Sequence, residues 1–514
     1  MAVTPLAKIR VVMATRIGFD KFLFVSEIAS ATGRIPPTAS LCYSSAANVN
    51  WVDRIREVWI MLRIGLRLQI GLLSILACCD AAATGFFVPQ QSVPNVGRAQ
   101  AGGSAIANDP STIFFNPAGL SRLWDEKPPM YDEKIKSDDA FRASAGVNVI
   151  FPSIDFTNTG TTATTPATLG TPVPVGGGNG GNPGSPSPVL NFYGGYQANK
   201  DFYVGLGINM PFGLGAEYDS DWFGRYDSIK SELITINVSP VMSYKINNWL
   251  SFGAGIDFQY ADAELTNALP NTLLPGGPTA ATDGLFELEG SDWAVGYNVG
   301  LLIEPAHGTR IGLHYRSAIT HKLEGTATTS GLTGPLAAAN GTVGATSELN
   351  LPDIVSLGVA QEITRDFWLM GEFMWFGWSD FDEIRVQFDN GSPDAVRVTN
   401  YRNTYAISLG AEYRVHPKWI VRGGLSYDRT PTQDGYRDTS IPDGDRLWVA
   451  LGTTWRACDW MTLDFALAHV FFEDGDVDLT RSFYTGTAAA GTVDINGVSE
   501  TSTTTVGINA RFRF

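Results

Sequence analysis

Strand-length stretches in which apolar and polar residues alternate recur from Phe141 to the C-terminus. The last stretch is the clearest, because one set of alternate positions is apolar and the other is small or polar. The first set is Val506, Ile508, Ala510, Phe512 and Phe514, and the second is Gly507, Asn509, Arg511 and Arg513. Alternation with a period of two predicts a β-strand. A strand with lipid on one face and a polar lumen on the other is typical of a transmembrane β-barrel.

The connections between these stretches alternate between short and long. Short ones include Asn247-Asn248 and Cys458-Asp459, whereas long polar or glycine-rich ones include 157–187, 266–291, 326–347 and 473–500. Outer-membrane barrels have this asymmetry, with short periplasmic turns and long external loops. Six short and seven long connections predict an all-β, 14-stranded antiparallel transmembrane barrel with both ends on the periplasmic side.

Composition agrees with a barrel and excludes other classes. The 514 residues are 44% hydrophobic, yet no uninterrupted apolar run approaches the ~20 residues of a spanning helix. A formal net charge of −16 argues against nucleic acid as a partner, because binding phosphates requires basic patches. After the predicted leader, Cys458 is the only cysteine, so we expect neither a disulfide framework nor a cysteine metal cluster. No cofactor is predicted.

The N-terminal region carries a targeting signal. A basic stretch from Met61 to Arg67 precedes the apolar run 70–77 and the small residues Ala81-Ala82-Ala83. These are the parts of a secretory signal peptide, which we assign to residues 61–83. Residues 1–60 are then a mis-annotated or disordered N-terminal extension. We expect a hatch, or plug, over 84–126 and the barrel over 127–514.

Several blocks of sequence resemble one family. They are Gly85–Ser92, Gly97–Gly102, Ala105–Ser111 and Phe115–Leu120, which look like an N-terminal hatch, and Asn209–Tyr218, Trp222–Tyr226 and Ser231–Pro240, which look like a third and a fourth strand. In this order, with a terminal Phe514, they resemble the FadL/TodX (OMPP1) family of outer-membrane transporters for long-chain fatty acids and hydrocarbons. The resemblance extends over nearly all of the mature chain.

The resemblance implies a hatch inside the lumen and passive uptake of a hydrophobic ligand. The ligand would enter an apolar groove between external loops, move to a pocket in the lumen, and leave sideways at a kink in the third strand. Implied partners are a long-chain fatty acid or hydrocarbon, outer-membrane lipid and lipopolysaccharide, and the barrel assembly machinery. We expect a monomer in the bacterial outer membrane.

Two short motifs are candidates for moving or fixed parts of this route. The kink is expected at Pro211, Phe212, Gly213 and Leu214, since proline cannot donate to a ladder and glycine permits a bulge. The alternative is an ordinary strand end near the rim. The hatch motif is Asn116, Pro117 and Ala118, which serves either as a trigger or as simple turn chemistry.

Candidate ligand-binding residues fall into three groups. Phe86 and Phe87 either reach the pocket or hold the hatch against the wall. Apolar residues in two external loops could form the entry groove, or could pack the loops on each other; they are Leu269, Leu273, Leu274, Leu332 and Leu336. Arg225 either pairs with a ligand carboxylate or braces an acidic loop at Glu217 or Asp221.

Two other functions compete with this interpretation. A general diffusion porin would have an open lumen and more strands. An outer-membrane hydrolase would need a catalytic constellation, but the five histidines show no metal-binding spacing and no Gly-x-Ser-x-Gly motif is present. We therefore expect no enzyme, with no catalytic or metal-binding residues.

Overall fold

A computed structural model describes residues 85–124, 140–275 and 277–514. The predicted extension 1–60 and signal peptide 61–83 lie outside the described residues. The described residues contain two short α-helices, α1 (Val93–Val96) and α2 (Thr112–Phe115), and four 3₁₀ helices, at Pro117–Arg122, Pro166–Thr168, Gly334–Ala339 and Trp378–Asp380. Within the described ranges, no helix has both the length and the apolarity needed to cross a membrane.

Twenty-two strand segments make up the rest of the regular structure. In chain order they are β1 (Phe141–Asn158), β2 (Thr162–Thr164), β3 (Val173–Pro174), β4 (Ser187–Gln197), β5 (Phe202–Asn209), β6 (Gly213–Glu217), β7 (Lys230–Lys245), β8 (Leu250–Leu269), β9 (Gly284–Ala306), β10 (Thr309–Arg316), β11 (Ile319–Ser330), β12 (Gly341–Leu351), β13 (Ile354–Thr364), β14 (Phe367–Phe376), β15 (Glu383–Phe388), β16 (Ala395–Val398), β17 (Thr404–His416), β18 (Trp419–Asp428), β19 (Arg446–Arg456), β20 (Met461–Phe472), β21 (Gly475–Phe483) and β22 (Gly491–Arg513).

These segments form one closed antiparallel barrel. Consecutive strands pair throughout, and the last strand returns to the first along a continuous register from Arg142↔Arg513 to Asn158↔Gly497. Six barrel strands consist of two segments each, namely β5–β6, β10–β11, β12–β13, β14–β15, β16–β17 and β20–β21. With β2 and β3 forming part of an external connection, the count is fourteen. The predicted fold class is confirmed.

The two faces of each strand meet different surroundings. On β19, Leu451 is 64% exposed on the outer face, whereas its neighbour Trp448 points inward and is 2% exposed. Stacked aromatic pairs, Trp419 with Trp455 and Trp460 with Phe512, lie at the strand ends near the short turns. Amphipathic aromatic rings are enriched at this depth of a bilayer, so the apolar outer band and its rim match a lipid-covered wall.

Several connections that the sequence pattern predicts as long loops are shorter in the structure. β8 continues to Leu269, β11 continues to Ser330, and β21 with β22 forms a hairpin outside the apolar band. Beyond the band both faces of a strand are polar, so the period-two signal disappears while the backbone ladder continues. The predicted loops are therefore largely extended hairpins.

The segment 85–124 lies against the inner wall of the barrel. All of its residues except Asn108 and Phe115 are buried. Its hydrogen bonds reach β1 through Asn148, β4 through Tyr193, β8 through Ser251 and β17 through Glu412. Because these strands lie around the circumference, the segment crosses the lumen.

Candidate functional site

The third barrel strand is interrupted at Met210–Phe212. β5 pairs with β4 up to Ile208, but after the interruption β6 pairs with β7 alone. The edge of β4 from Ser187 to Asn191 therefore has a ladder partner in β1 and none in the third strand. Pro211 lacks the N–H that a continuous ladder would use. The structure thus has a lateral break at the residues where the sequence predicts the kink.

Residues at the start of segment 85–124, the predicted hatch, hydrogen-bond to the interrupted backbone. Val88 N donates to Pro211 O at 2.8 Å, and Gly213 N donates to Phe86 O at 2.9 Å. The Gln91 side chain donates to Met210 O at 2.6 Å and accepts from Met210 N at 3.0 Å. Thr235 of β7 exchanges two further bonds with Phe212. Since unpaired backbone groups are costly at membrane depth, these contacts explain how the break persists.

An aromatic cluster joins the hatch to the kink and to the ninth strand. The Phe87 ring lies 5.6 Å from Phe212 and 5.2 Å from Phe376. The Phe86 ring lies 4.7 Å from Trp378 and 5.2 Å from Phe381. Phe86 also lines the cavity described next. Of the two predicted phenylalanines, Phe86 reaches the cavity and Phe87 packs the hatch against the wall.

A cavity lies between the predicted hatch, the kink and the external loops. Its apolar lining comes from several strands and consists of Phe86, Leu214, Leu233, Ala263, Leu265, Leu288, Leu323, Ala345, Leu349, Phe381, Ile384 and Ile441. A mostly apolar lining with a few polar groups is typical of small-molecule sites. Leu214 places the kink directly on this cavity.

A buried ion cluster closes one end of the cavity. Arg397, Asp438 and Ser440 line it, and Arg397 donates to Ser440 Oγ at 2.5 Å. Behind them Asp227 accepts from Arg481 Nε at 2.7 Å. Burial alone would raise the pKa of Asp227, but Arg481 and Arg397 outweigh it and hold that pKa below its usual range. Burial, followed by the charge of Asp227, raises the pKa of Asp438.

Three glutamates contribute a second polar region of the lining. Glu232, Glu289 and Glu348 lie on β7, β9 and β12. Lys230 Nζ lies 2.9 Å from Glu232 and 2.5 Å from Glu264, which partly neutralises this region. Within the described ranges, no group of His, Cys, Asp and Glu is arranged to hold a metal ion.

Arg225 lies among the external loops, outside the cavity lining. Its Nε donates to Asp283 at 2.9 Å, its Nη1 donates to Gly176 O at 2.9 Å, and its Nη2 donates to Tyr226 Oη. The partner is Asp283, not the Glu217 or Asp221 that the sequence suggested. This geometry favours the bracing role over a ligand carboxylate.

The two predicted groove loops touch each other. Asn271 Nδ2 donates to Thr333 O at 3.1 Å, between the two sets of leucines. Leu332 is buried, whereas Leu269, Leu273, Leu274 and Leu336 are half-buried. The cavity lining includes none of the five. Packing of the loops on each other is therefore observed, while the entry groove stays a prediction.

The Asn116-Pro117-Ala118 motif forms a tight turn against the wall. Asn116 Oδ1 accepts from Ala118 N at 3.1 Å, and its Nδ2 donates to Ser104 O and to Leu301 O of β9. A Cβ atom at Gly300 would lie 2.0 Å from Asn116 Oδ1. The turn thus depends on a glycine in the facing strand, and both roles considered for the motif remain compatible with its position.

Sequence reasoning missed two parts of the site. Gln91 bonds to the kink, and its signal is a buried amide pair, Gln90-Gln91, in an otherwise small and apolar segment. The Arg397–Asp438 cluster lies in two external connections that are distant in sequence. No local spacing could have joined them.

A family model described as outer membrane protein transport protein (OMPP1/FadL/TodX) matches residues 74–514. The chain belongs to this family. The long-chain fatty acid transport protein of an Escherichia coli O6:H1 strain is 28% identical over 440 residues, covering 80% of this chain and 89% of the relative. Membership confirms the predicted outer-membrane location and the prediction of a transport protein that is not an enzyme.

Solved structures of the family share the fold. A Pseudomonas aeruginosa FadL homologue superposes with a TM-score of 0.71 at 24% identity, covering 83% of this chain and 99% of the other. The Ralstonia pickettii toluene transporter TbuX superposes with a TM-score of 0.55 at 20% identity, covering 82% and 100%. Family members that are named for different ligands therefore share one barrel fold.

Proposed function

We propose that this FadL/TodX family member takes up hydrophobic ligands passively by lateral exit. A ligand enters between the external loops near Leu269–Leu274 and Leu332–Leu336, occupies the cavity, and leaves through the break at Pro211–Leu214 into the membrane. The observation that carries the proposal is that the apolar cavity is bounded by both Phe86 of the hatch and Leu214 of the kink.

The route keeps an apolar ligand out of water from cavity to membrane. Each CH₂ group gains about 0.8 kcal/mol on leaving water. An exit through the periplasmic end would forfeit that gain, and residues 85–124 cross that path. Lateral release into hydrocarbon retains it.

The ion cluster supports a long-chain fatty acid over a neutral hydrocarbon. Arg397 borders the cavity with part of its side chain accessible, and a guanidinium binds carboxylates by charge-assisted hydrogen bonds. The relative named a long-chain fatty acid transport protein agrees with this choice. An alkane or a monoaromatic ligand would use the leucine-rich part of the cavity alone.

The remaining expectations form part of the same proposal. Residues 84–126 act as the hatch and 127–514 as the barrel, which works as a monomer among outer-membrane lipid and lipopolysaccharide. The terminal Phe514 is the signal read by the barrel assembly machinery. A porin would need a lumen that residues 85–124 leave open, so their contacts around the wall count against that alternative.

Uptake by whole cells tests the proposal. In a strain without its own channel, cells making this protein should accumulate labelled oleate faster than control cells, with less effect on labelled toluene or alkane. Equal rates with and without the protein for all three ligands would refute the uptake function.

A disulfide across the break tests the exit. If the β4–β5 register continued, Leu190 would face Met210, so cysteines at both positions, with Cys458→Ser, should close the gap on oxidation and reduce oleate uptake. The matched pair Tyr196→Cys with Val204→Cys joins the same strands where the ladder is intact and should have no effect. Uptake unaffected by the oxidised Leu190–Met210 pair would contradict exit at the kink.

A further inference from the structure

The barrel wall has a second interruption, between the sixth and seventh strands. β9 pairs with β10 as far as Asn298↔Arg316, and pairing with β11 resumes at Ser291↔Glu324. Between these points residues 292–297 and 317–323 have no ladder partners across the seam, although 292–297 pair with β8 and 319–323 pair with β12 on their other sides. We call this interruption the β9–β11 seam.

One backbone hydrogen bond and several side-chain contacts close the two ends of the seam. Ser317 N donates to Tyr297 O at 2.9 Å, and Ser317 Oγ accepts from Tyr297 N at 3.0 Å. At the external end Asp292 accepts from Lys322 N at 3.0 Å and lies 3.4 Å from His321. The wall between these ends is held by side-chain packing in place of backbone hydrogen bonds. Side chains can move aside by rotation about single bonds, whereas a ladder cannot.

The inner side of the seam continues into the cavity. Leu323 lines both, and Gly290, just beyond the end of the seam, also lines the cavity. Ile319 is buried in the same apolar cluster as Leu323 and Phe86, and a Cβ atom at Gly296 would lie 2.7 Å from Ile319 Cγ1. Ile319 therefore fills the space that the small residue at 296 leaves in the wall.

The outer side of the seam faces the apolar band. Trp293 and Val295 are 63% and 62% exposed, and Tyr297 is also exposed. These residues flank the seam on β9, and the neighbouring outer positions of β8 are Ile256 and Phe258. On β11 the outer positions Thr320 and Lys322 are exposed and polar, so an apolar ligand that passed Ile319 would reach the membrane along the apolar β9 edge of the seam.

Two other interruptions differ from the seam. The kink at Met210–Phe212 is hydrogen-bonded to Phe86, Val88 and Gln91, so its opening requires backbone movement of the hatch. Between the eighth and ninth strands, the gap opposite 348–353 is filled by the buried residues Trp378 and Phe381. The inner side of the β9–β11 seam is closed by Ile319 and by the buried His321, whose Nε2 lies 3.0 Å from Gln259 Oε1 of β8, with neither a hatch segment nor an inserted turn.

We infer that the β9–β11 seam is a second lateral portal, through which apolar chains pass between the cavity and the membrane. Ile319 is its gate residue. The portal admits slender unbranched chains, since passage requires rotation of one aliphatic side chain beside Gly296. This inference rests on the proposed uptake function and adds a route that does not require the hatch to move.

Cross-linking the seam tests the inference. The register after the break would set Val295 opposite Thr320 on the outer face, so Val295→Cys with Thr320→Cys, with Cys458→Ser, should form a disulfide across it. Oxidation should cause a loss of oleate uptake that a reductant restores. The matched pair Leu301→Cys with Leu313→Cys joins the same two barrel strands within the intact ladder and should leave uptake unchanged.

The outcomes separate this inference from the proposed function. Unchanged uptake in the oxidised 295–320 pair, with a loss in the 190–210 pair, overturns the portal and leaves uptake through the kink standing. If the protein shows no uptake even before a cross-link is formed, the proposed uptake function itself is refuted.

Substitution of the gate residue gives a second readout. Ile319→Ala should increase the initial rate of oleate uptake in the oxidised 190–210 background, where the seam would be the remaining exit. Leu313→Ala, a truncation on the lipid face of the same barrel strand, should leave that rate unchanged. Equal rates for Ile319→Ala and its parent would overturn the assignment of Ile319 as the gate.

Discussion

At the scale of single residues, the cavity's ligand preference depends on which partner Arg397 has. Asp438 Oδ2 lies 3.7 Å from Arg397 Nη1, an ion-pair distance without a direct hydrogen bond. Asp438 Oδ1 accepts from the backbone of Ser440 and Ile441. The carboxylate of Asp438 thus occupies the place where a ligand carboxylate would approach Arg397, and the two anions compete.

Removing that competing charge should strengthen the binding of acidic ligands. Asp438→Asn keeps the oxygen that accepts from the backbone and abolishes the charge, so oleate affinity should rise by about tenfold, which corresponds to about 1.4 kcal/mol. Binding of oleyl alcohol should not change. Isothermal titration with both ligands measures the difference, and Asp478→Asn on the exposed face of β21 serves as the control. An equal gain for the alcohol would contradict the argument.

The same residue predicts a pH dependence. Because burial raises the pKa of Asp438, lowering the pH towards that pKa neutralises Asp438 and removes the negative charge that competes for Arg397. Oleate affinity of the unmodified protein should therefore increase as the pH is lowered, already at pH values at which a simple carboxyl group stays largely ionised. Asp438→Asn should flatten this profile. A profile that is equally steep in the variant would assign the effect to another group.

At the scale of elements, the hatch motif and the facing strands fit each other through small residues. Gly300 of β9 lies so close to Asn116 that a methyl group there would meet Oδ1 at 2.0 Å. Gly300→Ala should displace the turn and lower the free energy of unfolding by about 1–3 kcal/mol, the usual cost of overpacking. Gly371→Ala provides the control, because the nearest atom to a Cβ there is 3.6 Å away. Thermal unfolding followed by gel mobility should show a lower midpoint for Gly300→Ala than for Gly371→Ala. Equal midpoints would contradict the close contact between Gly300 and Asn116.

The same elements show which features can be predicted from a sequence. Apolar and polar residues alternate from Val506 to Phe514 because one face of the strand contacts lipid and the other faces the polar lumen. The number and orientation of the strands can therefore be predicted from this pattern. Pro211 and Gly213 mark a break because their backbone chemistry is local. Gln91 and Met210 are hydrogen-bonded although they are 119 residues apart in sequence, and Arg397 and Asp227 are hydrogen-bonded although they are 170 residues apart. Such long-range pairs leave no periodic signal. In the sequence, Ile319 looks like an ordinary strand residue. Its proposed role depends on the register of β9 against β11, which the sequence pattern does not show.

At the scale of the whole molecule, buried ion pairs connect the hatch to the wall. Arg98 of the hatch segment donates to Glu412 Oε1 on β17 at 2.6 Å, and Glu412 also lies 3.1 Å from Arg422. All three side chains are almost fully buried. Breaking a buried pair by removing one charge typically costs about 3–5 kcal/mol, because the partner charge remains uncompensated. The position of the hatch is therefore sensitive to this single carboxylate.

Neutralising Glu412 should convert a plugged channel into a leaky one. Glu412→Gln removes the anion that lies between Arg98 and Arg422 and leaves Arg422 with Asp464 at 3.7 Å, so Arg98 loses its carboxylate partner and the hatch should move away from β17. The unmodified protein in planar bilayers should show little ionic conductance, and the variant should open conducting events. Glu324→Gln removes the acidic partner of an exposed pair with Lys322 and should behave like the unmodified protein, since such pairs contribute about 0–1 kcal/mol. A large conductance already present in the unmodified protein would restore the porin alternative, because water and ions would then pass a hatch that the buried contacts should hold closed.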